Sequence, residues 1–173
     1  MAFPAQRLRR LRATGALRSL VRETTLAPDD FVMPFFVRPG KGEKRPIRSM
    51  PGHFQYSVDQ LVKAVGPVVA AGVPAVILFG IPDKKDAQAS GAFAADGIVQ
   101  KAARALKARY PDLCVMADLC FCEYTDHGHC GIIKKNGAVA NDETLALAAK
   151  TAVSQAQAGC DVIAPSGMMD GQV

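Results

Sequence analysis

Apolar residues fall along this chain in short runs that alternate with stretches of helical spacing. "FVMPFFV" (31–37), "AVILFG" (75–80), "LCVMADLC" (113–120) and "DVIAPS" (161–166) are near-continuous apolar runs of strand length. Runs of this kind, without strict alternation, suit strands buried on both faces, as in a parallel sheet. Between the first two, Val58, Leu61, Val62, Val65, Val68 and Val69 recur at helical spacing over 57–72. Ser57 with Gln60 reads as a capping box, Gly72 suits the C-terminal cap, and Pro67 is expected to kink or split the helix. A second helix is predicted from about Asp96 to Arg109, with Ile98, Ala102 and Leu106 on its buried face and cations in its last turn. A third begins near Asn141 or Asp142 and ends at Gly159, with Leu145, Ala149, Ala152 and Ala156 expected to be buried.

The strand–helix alternation predicts an α/β fold. "AGVPAVI" (71–77) and "AGCDVIA" (158–164) both pass from a helix-ending glycine into a strand, a weak internal echo of a repeated βα unit. Four such units fit the start of a (β/α)8 barrel or part of an open doubly wound sheet. No GxGxxG follows the first strand, which weighs against a dinucleotide fold. The chain has 173 residues, whereas a whole (β/α)8 barrel typically needs about 250. "APSGMMDGQV" leaves the fourth strand and stops at Val173, with nothing after it to cover that strand. The chain therefore reads as an incomplete barrel: an N-terminal arm over 1–28, then the first half of the barrel over 29–173.

The net charge of +5 is uneven, because Arg7, Arg9, Arg10, Arg12, Arg18 and Arg22 precede the first acid, Glu23. A transit peptide would be richer in serine, and a nucleic-acid arm would carry aromatic stacking residues. The favoured reading is an arm that docks on a partner subunit or is simply solvated, with no nucleic acid and no membrane involved. No run of eighteen apolar residues is present. No secretory signal is read either, so reduced thiols and a cytoplasmic location are expected.

The chemistry concentrates in "DLCFCEYTDHGHCG" (118–131). Five cysteines is an odd count, and three of them lie within eleven residues as C-x-C-x7-C. On an extended strand Asp118, Cys120 and Cys122 project to one side, and Leu119 and Phe121 to the other. Cys130 can fold back from the following loop, with Gly128 and Gly131 letting it turn. Structural zinc sites usually pair C-x2-C elements into four closed ligands. Here three thiolates have no clear fourth nearby, since Cys114 and Cys160 open other segments. Three protein ligands and an open position is the catalytic arrangement, and such a metal suits holding a substrate amine or carbonyl. His127 or His129 completing a closed site, or unligated buried thiols, are the competing readings.

At these residues the chain resembles the porphobilinogen synthase (delta-aminolevulinic acid dehydratase) family, in its zinc-dependent form. The likeness runs through "RLRRLR", "MPFFV", "IRSMPG", "LFGIP" with Lys84–Asp86 behind it, "NDETL" and "APSGMMDG". It implies a (β/α)8 barrel whose arm wraps a neighbouring subunit, commonly in homo-octamers. It also implies a lyase that condenses two 5-aminolevulinate molecules to porphobilinogen, losing two waters, in tetrapyrrole and haem biosynthesis. Cys120, Cys122 and Cys130 match the family's Zn2+ ligands, which other members replace by acids with Mg2+. Asp118 matches an active-site acid and Ser166 a serine lining the pocket. His129 matches a position linked to an accessory Mg2+ or second Zn2+. The family also needs two Schiff-base lysines on later strands, which the resemblance places beyond Val173. Lys84, Lys85, Lys134, Lys135 and Lys150 match neither, so the chain alone is expected to be inactive. Gly167 departs from the family's usual acid there. A different lyase or aldolase on a similar barrel, or a non-catalytic zinc-binding or subunit-docking module, remains the alternative.

Overall fold

A computed structural model describes residues 6–173; the first five positions of the N-terminal arm lie outside the described residues. A 3-10 turn (Leu8–Arg12) and a short helix α1 (Gly15–Leu20) lead in, and every residue from Gln6 to Val32 is exposed. Strand β1 (Val32–Val37) is followed by a hairpin of β2 (Lys44–Pro46) and β3 (Phe54–Tyr56). Then come α2 (Val58–Ala70), β4 (Ala75–Gly80), the single turn α3 (Ser90–Phe93) and α4 (Ile98–Arg109). β5 (Cys114–Leu119), α5 (Asn141–Gln157) and β6 (Val162–Pro165) complete the described elements.

The sheet order is β2-β3-β1-β4-β5-β6, and only the β2–β3 pair is antiparallel. The four predicted strands are thus β1, β4, β5 and β6, in sequence order and parallel. Pro34 falls where β1 has a partner on one side only, because β3 joins it at Phe36 and Val37. One sheet face packs on α2 and α4. Phe35, Val37, Val76, Leu78, Val115 and Ala117 meet Leu61, Val65, Ala102 and Leu106 there, all essentially water-free. A smaller cluster of Ala89, Ala92, Leu119, Phe121 and Tyr124 lies under the β5–α5 connection.

Several local expectations are corrected. Pro67 sits inside α2 without splitting it. Ser57 makes no side-chain cap; its hydroxyl accepts from the Glu43 N–H (2.9 Å) and donates to Asp59 (2.6 Å), so the β2 end competes it away from the helix. The α5 face is also rotated from the predicted one. Ala149 and Ala156 are exposed, Leu145 and Ala152 only half-buried, and Thr144, Thr151 and Gln155 are buried. In an alanine-rich helix the apolar periodicity is too shallow to fix the face, and here hydrogen bonds fix it. Thr144 and Thr151 donate to the carbonyls of Ala140 and Leu147 (2.7 and 2.9 Å). The glycine echo is real: Gly72 and Gly159 have φ of +82° and +100°, each ending a helix before a strand.

At the opposite end of the strands from their carboxyl termini, Lys107 Nζ donates to the Pro111 and Leu113 carbonyls (3.0 and 3.1 Å) and to Asp161 (3.1 Å). Asp161 Oδ2 also accepts the Val115 N–H (2.8 Å). That backbone bond and the Lys107 ammonium hold the Asp161 carboxyl below its ordinary pKa. A depressed carboxylate contributes stability above its unfolded value, near about 3.9, and loses it as pH falls through the lower folded value. With the carboxylate 40% exposed, Asp161→Asn is expected to cost about 1 kcal/mol at pH 7. The two proteins should converge in acid, as read by urea unfolding at several pH values.

Candidate functional site

The site forms where β5 ends. Leu119 is its last strand residue, and the chain then turns at Phe121, whose carbonyl accepts from the N–H groups of Tyr124 (2.9 Å) and Thr125 (2.8 Å). The strand therefore does not stay extended through Cys122, as alternation required. The sulfurs meet all the same: the Sγ atoms of Cys120, Cys122 and Cys130 all lie within 4.8 Å of one another, and Cys120 and Cys122 are 3.3 Å apart. Phe121, 1% exposed, plugs the smaller core cluster behind them and so pins the Cys-x-Cys backbone.

Cys130 returns through a loop that Gly128 turns with φ +72° and that Thr125 ties by donating to the His129 carbonyl (2.9 Å). Gly131 serves differently from the turn expected of it. An added Cβ there would stand 2.9 Å from Val139 and 3.0 Å from Met169, so it allows close packing rather than a positive φ. His127 Nδ1 accepts from the His129 N–H (3.1 Å) and His129 Nδ1 from the Gly131 N–H (2.9 Å), and neither ring joins the three sulfurs. All five cysteines are unpaired.

Asp118 and Ser166 are brought together: the Ser166 hydroxyl donates to Asp118 Oδ1 at 2.6 Å. Burial raises the Asp118 pKa, the Ser166 hydrogen bond opposes it, and the Glu123 charge adds to the rise. Burial likewise pushes the Cys122 and Cys130 thiols up. A bound cation reverses that preference, because a coordinating thiol is deprotonated outright. Val173 is fully exposed and lies outside the sulfur group and the Asp118–Ser166 pair.

Three supporting residues carry no signal of this role in the sequence pattern. Gln155 donates to the Asp118 carbonyl (3.1 Å), fixing the end of β5 from α5. Asn141 clamps the loop after β6, accepting the Asp170 N–H (2.8 Å) and donating to the Asp170 carbonyl (3.1 Å). "NDETL" and "APSGMMDG" are thus two sides of one contact. At Gly167, the Gln172 amide fills the space an acid would take, 2.7 Å from where a Cβ would stand. A polar residue in place of an apolar one on a buried helix face is the only trace Gln155 leaves.

Tyr124 closes the turn. Its hydroxyl stands over the Cα of Gly80 at the end of β4, where an added Cβ would collide with it and with Val99. Gly80→Ala is expected to destabilise by about 1–3 kcal/mol, measurable as a lower urea midpoint.

Three sulfurs at this spacing fit a thiophilic cation. A tetrahedral zinc with Zn–S lengths of about 2.3 Å separates its sulfurs by roughly 3.8 Å, within the spread found here.

The family model for delta-aminolevulinic acid dehydratase matches residues 5–173. The chain belongs to the delta-aminolevulinic acid dehydratase family. It is 54% identical over 168 residues to the Halalkalibacterium halodurans enzyme of that name, covering 97% of this chain and 51% of that one. It is 55% identical over 174 residues to the Synechococcus elongatus enzyme, covering 99% and 53%. The crystal structure of a Toxoplasma gondii delta-aminolevulinic acid dehydratase (porphobilinogen synthase), in complex with the reaction product porphobilinogen, superposes with a TM-score of 0.93 at 36% identity. It covers 98% of this chain and 49% of that one. The chain spans about half the length of the curated relatives it matches. Family members are metal-dependent lyases, and the cysteine triad is a group here that can hold a metal ion. Among the described residues no helix is long and apolar enough to cross a membrane.

Proposed function

We propose that this chain is the N-terminal half of a zinc-type porphobilinogen synthase. Residues 29–173 would form the first four βα units of a (β/α)8 barrel, and residues 1–28 an arm docking on a neighbouring subunit of a cytoplasmic homo-oligomer, an octamer by family resemblance. The supporting observation is the convergence of Cys120, Cys122 and Cys130 at the carboxyl end of β5, beside the Asp118–Ser166 pair. Barrel active sites occupy that end of the strands.

Three thiolates favour zinc over magnesium or calcium, which prefer oxygen donors. When bound, zinc supplies a site that holds and polarises a substrate amine or carbonyl. Asp118, oriented by Ser166 and Gln155, offers a carboxyl to the substrate amine. The Cys120 and Phe121 side chains, both buried, keep water from the inner side of the site. The reaction would condense two 5-aminolevulinate molecules, with the imine-forming lysines supplied from beyond Val173.

The experiment fuses residues 1–173 to the C-terminal half of the Halalkalibacterium halodurans relative and assays porphobilinogen. The fusion is expected to form product and the 173-residue chain alone to form none. Turnover by the chain alone at the rate of a complete enzyme refutes the half-enzyme reading. A folded, zinc-loaded but inactive fusion favours a non-catalytic zinc-binding module.

A further inference from the structure

The sheet has two faces, and α2 and α4 cover one of them, through Phe35, Val37, Val76, Leu78, Val115 and Ala117. The other face is apolar too. Pro34, Ile77, Met116 and Val162 stand opposite one another in a single row across β1, β4, β5 and β6. Phe36 and Phe79 stack in the next row, with ring centroids 5.3 Å apart. None of these six side chains is buried, and Val162 is 40% exposed. A contiguous apolar face of this kind, open to water, marks an interaction surface.

The same face is bounded by two open strand edges. β6 ends the sheet and pairs with β5 alone. β3 reaches β1 only at Phe36 and Val37, so Val32 to Phe35 pair with β4 alone. Unpaired N–H and C=O groups along both edges call for further strands. Beside β6, Leu145, Ala148, Ala152, Ile163 and Pro165 line a cavity of about 300 Å³ on the flank of α5.

We propose that this face and its two seams dock a separate polypeptide carrying the remaining βα units, and that the two chains associate without a covalent link. This rests on the half-enzyme reading above. The interior of a (β/α)8 barrel is filled by layers of side chains drawn from alternate strands around the ring. Four strands supply only half of each layer, and the occupant must supply the rest. Length agrees with that occupant, since this chain covers 51% and 53% of two curated relatives and 49% of the Toxoplasma gondii chain. A second copy of this chain fits worse, because it would bring a further β2–β3 hairpin against the β6 seam. Strand pairing at two seams and an apolar interior between them hold the halves together.

The test co-expresses this chain with a tagged, separate C-terminal half of the Halalkalibacterium halodurans relative and purifies on the tag. The wild-type chain is expected to copurify in a one-to-one complex, read by light scattering after gel filtration. Val162→Glu and Val32→Glu each place a charge on one seam and are expected to lower the recovered chain at least about tenfold. Val153→Glu is expected to leave recovery unchanged, because Val153 is 57% exposed and lies beside Phe93, away from both seams. Circular dichroism of each variant alone controls for folding. No copurification overturns the docking, and an active covalent fusion alongside it keeps the half-enzyme reading. Undiminished recovery of both seam variants overturns the assignment of this face. A self-associated chain that excludes the C-terminal half makes a second copy the occupant and overturns the proposal. A seam-dependent complex beside an inactive fusion supports the docking and counts against the enzymatic reading.

Discussion

Replacing Cys120, Cys122 and Cys130 together by serine is expected to take bound zinc from about one equivalent to none measurable, while leaving the fold in place. Serine has nearly the volume of cysteine, and only Cys120 of the three is fully buried. A serine hydroxyl stays protonated near neutrality and is a poor donor to a thiophilic cation. The free energy of binding a structural-type zinc to thiolates is of the order of 10 kcal/mol or more, so removing all donors exceeds any other single loss in this molecule. Metal analysis after gel filtration, with circular dichroism as the folding control, reads it. Zinc stoichiometry unchanged in the triple variant would remove the centre from these residues.

Phe121→Ala should be the most damaging single substitution for stability, at about 3–5 kcal/mol. The ring is 1% exposed and shares its cluster with Leu119, Tyr124, Ala89 and Ala92. Phe121 is also the hinge of the turn that presents Cys120 and Cys122, so the variant should bind zinc more weakly as well as unfold earlier. A urea titration gives the first effect and chelator competition the second. A midpoint equal to that of the wild type would show that the cluster does not anchor the turn.

The four parallel strands are legible in the sequence because each is a short apolar run, although β6 at the sheet edge is half-exposed here, and the glycines at 72 and 159 punctuate them. The hairpin of Lys44–Pro46 and Phe54–Tyr56 is not, because three-residue strands carry no period. The α5 face misleads for a related reason: alanines recur on several sides of that helix, and Thr144, Thr151 and Gln155 are buried through hydrogen bonds that periodicity does not encode. Within the site, C-x-C-x7-C announces the sulfur cluster, and the structure gathers the three atoms. Where β5 stops is not announced. That is set by the Phe121 turn, a tertiary outcome of packing the ring into its cluster.

The two halves of the site have different reach along the polypeptide. The sulfurs come from a single segment of eleven residues, Cys120 to Cys130. The Asp118–Ser166 hydrogen bond joins positions 48 apart and exists only once β6 has docked on β5. During synthesis the ion can be captured while the segment carrying Ser166 is still inside the ribosome. Loading the metal would then come before the pocket is assembled, with the captured ion serving as a nucleus around which the later strand arrives.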